Sequence, residues 1–144
     1  MKYVMMTKVT RHYEAGIPPS QSSMDALQSY FHELEEAGIL VATEQLYPSS
    51  SGLRMSFHKP GSRPVLEWGP ISEVKELVSG FTLIEVSSEE EAIEWALRMP
   101  DPNGYGEGVI ELRRVYDQSS TYTDSLQQGL EYELRSQIGM LKYR

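Results

Sequence analysis

Three side chains in the second half of this chain, Glu85, Glu111 and Arg113, have the types to hold or transform a charged small molecule. A carboxylate beside a guanidinium can orient a polar group, and the guanidinium can bind an anion in a bidentate fork. The plainer reading is an ordinary ion pair at an interface, because structural pairs also gather on such faces. An imidazole in general titrates near neutrality, which makes His58 a candidate general base, set against the simpler alternative of an exposed histidine on a hairpin. Glu73 lies in a charged turn of the kind that either carries function or is merely solvated. Trp68, Phe81 and Tyr105 are rings able to wall a ligand pocket, although burial in an interface is the plainer use of such rings.

Other chemistries find no residues to perform them. The chain has no cysteine, which removes disulfides, thiolate nucleophiles and the commonest ligand of structural zinc. Its three histidines, His12, His32 and His58, show no metal-ligand spacing, so no metal is expected. No glycine fingerprint follows a strand, and neither a phosphate-binding loop nor a nucleophilic serine elbow occurs, so no cofactor is expected. A net charge of −8 and a pI near 4.9 argue against tracking a nucleic-acid backbone. No apolar run approaches the roughly 18 residues of a membrane span, and the first residues do not resemble a secretory leader. No membrane partner is expected, and the cytoplasm is the natural location.

The elements that must position these residues follow from patterning over 144 residues, enough for one core. Lys2 to Val9 reads as a strand with apolar side chains on both faces. Arg11 to Ser23 reads as a loop, with Ser22 or Ser23 capping a helix that runs to about Ala37. That helix carries Met24, Leu27, Phe31 and Leu34 at helical spacing and stops at Gly38. Ile39 to Leu46 is a second strand, and Leu53 to His58 with Arg63 to Trp68 forms a hairpin about Lys59-Pro60-Gly61-Ser62. Gly69-Pro70 ends that hairpin, because proline has no N–H to donate and biases its predecessor away from helix. An exposed charged turn follows, then Ser79 to Val86 as the best central strand.

Ser87 with Glu90, or Ser88 with Glu91, forms a capping box before a helix striped by Ala92, Ile93, Ala96 and Leu97 and ended by Pro100. Asp101 to Gly108 is a loop, and Val109 to Tyr116 is the last strand. There Ile110 and Leu112 point one way, Glu111 and Arg113 the other. After a polar linker from Asp117, residues 124–143 place Leu126, Leu130, Leu134, Ile138 and Leu141 on one side of an amphipathic helix. The organisation is therefore a core over 1–116 and an extension over 117–144.

Strand, helix, strand, hairpin, strand, helix, strand is a split β-α-β arrangement, a ferredoxin-like α+β layer. Two helices cover one face of such a sheet. The other face, with Phe81, Leu83 and Glu85, needs a second cover, and a partner subunit is the usual one. The expectation is a homodimer with facing sheets enclosing a cavity.

The run Gly69-Pro70-Ile71-Ser72-Glu73-Val74-Lys75-Glu76, followed by Gly80-Phe81 and Leu83-Ile84-Glu85-Val86, resembles the "DGPFAETKE…GGFYLIEV" signature of the YCII-related, or DGPF-domain, proteins. Met1-Lys2-Tyr3, Glu44-x-Leu46-x-Pro48-Ser49 and Ala92-x-Glu94-Trp95-Ala96 support the likeness, which covers Met1 to Val115. The resemblance implies a dimeric α+β barrel of ferredoxin-like protomers. Trp68 stands where the family's aspartate would be and Ile71 where its phenylalanine would be, so the carboxylate suspected of acid/base work in relatives is missing. The functional expectation is a small organic ligand in the inter-sheet cavity, bound or turned over. The rival is an interaction module or accessory to a regulator, and the C-terminal helix could also build a higher oligomer.

Overall fold

The structure is a computed structural model that describes residues 1–117 together with 129 and 130. Six strands and three α-helices occur among them: β1 (Lys2–Lys8), α1 (Arg11–Glu14), α2 (Gln21–Glu36), β2 (Leu40–Gln45), β3 (Leu53–Ser56), β4 (Val65–Trp68), β5 (Val78–Glu85), α3 (Glu89–Arg98) and β6 (Ile110–Arg114). One antiparallel sheet has the order β2-β5-β1-β6, and β3 and β4 form a separate two-stranded sheet. The four-strand order is that of the ferredoxin-like layer, with β5 slotted between β1 and β2 and β1 between β5 and β6. The strand after the signature is central, as its β-branched and aromatic composition implied. The expected C-terminal helix lies outside the described residues, apart from Gly129 and Leu130, which are helical.

Helix α2 begins two to three residues before the expected point. Ser20, not Ser22 or Ser23, is the cap, and its hydroxyl accepts from the Ser23 N–H at 3.2 Å. The C-terminal stop is as the sequence implied. Gly38 takes φ +73°, its N–H bonds the Glu35 carbonyl, and the Ile39 N–H bonds the Leu34 carbonyl. That double closure leaves Ile39 and Leu34 together in the core, the apolar contact that accompanies such an end. The segment 11–14, expected as loop, is a single helical turn capped by Thr10, whose hydroxyl accepts from the Tyr13 N–H. Four residues are too few to show a helical period.

The core lies between the sheet and helices α2 and α3. Tyr3 and Met5 from β1, Ile84 from β5, the following Val86, and Tyr30, Leu34, Ala92 and Met99 are buried together. On α2 the expected stripe holds at Leu27, Phe31 and Leu34, with Tyr30 buried beside them and Met24 exposed; on α3, Ala92 and Ala96 pack inward as expected, but Ile93 and Leu97 face outward and Trp95 packs inward. The spacing of Ala92, Trp95, Ala96 and Met99 is itself helical, so two stripes competed in the sequence. Trp95 wins because its ring meets Tyr30 edge-on at 6.3 Å and carries the Arg98 guanidinium at 4.2 Å. In α3 the Ser88 hydroxyl accepts from the Glu91 N–H, the second of the two capping choices.

Tyr30 is 4% exposed, and its hydroxyl donates to the Trp95 carbonyl at 2.5 Å, tying α2 to α3. Burial, chiefly, pushes the phenol up to about 12, with Arg98 opposing and Glu33 adding to the rise. A raised acid is neutral in the fold where the unfolded chain already ionises. This contribution to stability is therefore complete below about pH 10 and is lost as pH rises from 10 through 12. Denaturation followed between pH 9 and 12 is expected to show an alkaline loss that Tyr30→Phe removes, at a cost near neutrality of about 1 kcal/mol for the lost hydrogen bond. An identical alkaline profile in the variant would refute the assignment.

Candidate functional site

The signature turn after β4 is held from beneath by a hydroxyl. Ser49, buried in a single 3-10 turn (Ser49–Ser51), accepts the Ile71 N–H at 2.8 Å on its Oγ. That Oγ donates to Oε2 of Glu14 at 2.6 Å, and the Ser49 backbone N–H donates to Oε1 of the same carboxylate, also at 2.6 Å. Helix α1, the Pro48-Ser49 loop and the signature are thereby joined through one side chain. The Gly69–Pro70 peptide is cis, and a Cβ added at Gly69 would overlap the Ser49 carbonyl oxygen and press on Ser50. Glycine is needed there for close approach of two backbones. Ile71 is buried, so the turn expected to be exposed is anchored at its first half and exposed at Ser72, Glu73, Lys75 and Glu76.

That exposed half is fastened to the hairpin by Arg54 of β3. Its guanidinium reaches Glu73 and Glu76, each at 3.3 Å, and the Ser72 hydroxyl donates to Glu73 at 3.1 Å. The Glu73 carboxyl is held below the ordinary carboxylate value, first by its own backbone N–H, then by Ser72, with Arg54 contributing. Glu73 and Glu76 line an open cleft of ≈ 760 Å³ whose other wall includes Lys8, Arg11 and Glu107. Cations and carboxylates alternate around it, so it favours no single ligand charge. The lowered pKa of Glu73 reflects a satisfied ion-pair cluster and gives no group poised to move a proton near neutrality.

The sheet face away from the helices is the second candidate. Strand pairing sets Val4 beside Leu83 on one side and Arg113 on the other, and Met6 between Phe81 and Glu111. Val4, Met6, Phe81 and Leu83 are half-buried, while Lys2, Glu85, Glu111 and Arg113 are exposed around them. The proposed trio is not one constellation. Glu85 pairs with the N-terminal amine at 2.9 Å and lies level with Lys2, two residues along the strand from Arg113. Glu111 and Arg113 share a face but form no ion pair with each other among the described residues.

The remaining expected residues are dispersed. His58 is exposed at the hairpin tip, and Trp68 at the end of β4 is exposed opposite Leu53. Tyr105 stacks on His12, with ring centroids 4.2 Å apart, and donates to the Pro18 carbonyl. His12 itself, read as a loop residue, sits on α1 with Nδ1 against the Glu107 carboxylate. Sequence reading had no means of joining His12 to Glu107, because the pair is separated by most of the chain and neither lies in a local motif. Nearby, buried Asn103 donates to Thr10 at 2.7 Å, fixing the 101–108 loop to the cap of α1. Among the described residues no three histidine or carboxylate side chains converge as metal ligands.

A four-stranded antiparallel sheet backed by two helices, with a side hairpin and a glycine-proline turn locked to its neighbour, defines a ferredoxin-like α+β protein. The family model of the YCII-related domain matches residues 1–119, and the chain belongs to that family. No curated protein matches the chain. No helix among the described residues is long and apolar enough to cross a membrane.

Proposed function

We propose that this YCII-related protein works as a homodimer in which two sheets face one another and hold a small organic ligand between them. The observation that carries the reading is the bare sheet face: an apolar centre of Val4, Met6, Phe81 and Leu83 ringed by Lys2, Glu85, Glu111 and Arg113. Helices α2 and α3 both lie on the other side, so among the described residues no element of the protomer covers this centre. A second copy supplies a self-complementary cover under twofold symmetry. The charged rim gives a guanidinium for an anionic group, and the apolar centre suits a hydrocarbon or aromatic body.

Light scattering on the full chain is expected to give the dimer mass. Leu83→Asp, which puts a charge at the centre of the face without touching the core, is expected to halve that mass while leaving the circular dichroism spectrum unchanged. A monomeric parent protein would end the proposal. For the ligand, benzoate is the probe: NMR shifts at Phe81 and Arg113 that vanish in Arg113→Ala support an inter-sheet site. A dimer whose spectrum is unmoved by the probe would remove ligand binding at Arg113 from the reading and leave the dimer standing.

A further inference from the structure

The end of the sheet next to the signature holds a cleft that the inter-sheet site does not use. Its floor is the end of β1, bonded on both sides: the Lys8 N–H donates to the Val109 carbonyl at 2.9 Å and the Val9 N–H to the Leu77 carbonyl at 3.0 Å. One wall is residues 72–76, and the other includes Thr10, Arg11 and Glu107. The second half of the family signature therefore forms one side of a concave site, and a turn placed on a rigid sheet is where binding residues concentrate.

Both walls are fixed before any ligand arrives. On the signature side Ile71 is tied to Ser49, and Arg54 holds Glu73 and Glu76. That arginine points away from the bare apolar face of the hairpin, where Met55, Leu66 and Trp68 are exposed. On the other side the Thr10 hydroxyl accepts from Asn103, and the Glu107 carboxylate meets His12, whose ring stacks on Tyr105. A site built this way gives up little freedom on binding.

Charge and pairing define the occupant. The cations of the cleft, Lys8, Arg11 and Lys75, enter no ion pair among the described residues. Its acids are only partly used. Arg54 reaches Oε2 of Glu76 and His12 faces Oε1 of Glu107, and the second oxygen of each has no bond to another described residue. Free donors and free acceptors thus share one cleft of ≈ 760 Å³ with Val9, Val74 and Val109. A molecule of one charge would leave one set unmatched and be repelled by it. A zwitterion matches both, because a guanidinium takes a carboxylate in a fork and a carboxylate takes an ammonium. The valines suit an apolar side chain.

We propose that this cleft binds a free α-amino acid with an apolar side chain, its carboxylate on Arg11 and Lys75 and its ammonium on Glu76 and Glu107. The site shares no residue with the sheet face assigned above, so it stands or falls apart from the dimer and the ligand proposed there. L-phenylalanine is the probe, titrated into the isotope-labelled full chain. Saturable NMR shifts are expected at the amides of residues 72–76 and 107–109. Hydrocinnamate, which lacks the ammonium, and phenethylamine, which lacks the carboxylate, are each expected to bind about tenfold more weakly. Arg11→Ala/Lys75→Ala is expected to weaken phenylalanine about tenfold and to leave phenethylamine no weaker. Glu76→Gln/Glu107→Gln is expected to weaken phenylalanine by a similar factor and to leave hydrocinnamate no weaker. Absence of shifts at those amides with saturating phenylalanine overturns the site. Either analogue binding as tightly as phenylalanine overturns the zwitterion, and so does unchanged phenylalanine affinity in the two double variants.

Discussion

Replacing Gly69 with alanine is expected to destabilise the protein by roughly 3 kcal/mol or more, read as a drop in the denaturation midpoint. The Cβ would occupy the space of the Ser49 carbonyl oxygen and crowd Ser50, both backbone groups that cannot rotate away. Relief requires the signature and the Pro48-Ser49 loop to part, which also breaks the bond from the Ile71 N–H to the Ser49 hydroxyl. Because Arg54 links Glu73 and Glu76 to β3, the hairpin should loosen at the same time. Hydrogen exchange localises the effect: amides of residues 49–52 and 69–76 should lose protection while those of β1 and β5 keep it. A Gly69→Ala protein as stable as the parent would show that the two loops are not in this contact.

Glu14→Ala is the second large effect, expected to cost about 2–4 kcal/mol. It leaves the Ser49 N–H and O–H without the carboxylate that accepts both, at a site where Ser49 is buried. Hydrogen bonds to an ionised acceptor exceed neutral ones by about a factor of two, so Glu14→Gln, which keeps one acceptor oxygen, should fall between the parent and Glu14→Ala. In a double-mutant cycle Glu14→Ala and Ser49→Ala should be strongly non-additive, because each removes a bond already lost in the other. Additive losses would mean that the two residues stabilise the protein independently.

Both effects act on a network that sequence reading touched at one end. The Gly69-Pro70 break and the charged turn were visible because proline and glycine act locally on their own backbone. What holds the turn was not: Glu14 lay in a stretch read as loop, and Ser49 in a serine run with the composition of a linker. Neither residue type reports a partner tens of positions away. The same limit split the candidate site. Glu85, Glu111 and Arg113 were correctly assigned to the face away from the helices by alternation, but alternation says nothing about which strands are neighbours. Once β1 lies between β5 and β6, Glu85 finds the chain's own amine instead of Arg113.

By itself the sequence determined the kind and order of the main elements, the glycine stop of α2 at Gly38, the capping box before α3 at Ser87 or Ser88, the two-faced character of β5 and β6, and the family signature. These depend on residues within a turn or two of one another, where capping, period and backbone preference act. The tertiary structure alone decided which of two competing stripes on α3 is buried, the contact of His12 with Glu107, the Glu14–Ser49–Ile71 lock, and the bare apolar face of the hairpin. Each of these follows from packing and pairing between distant segments, for which a linear pattern carries no distance.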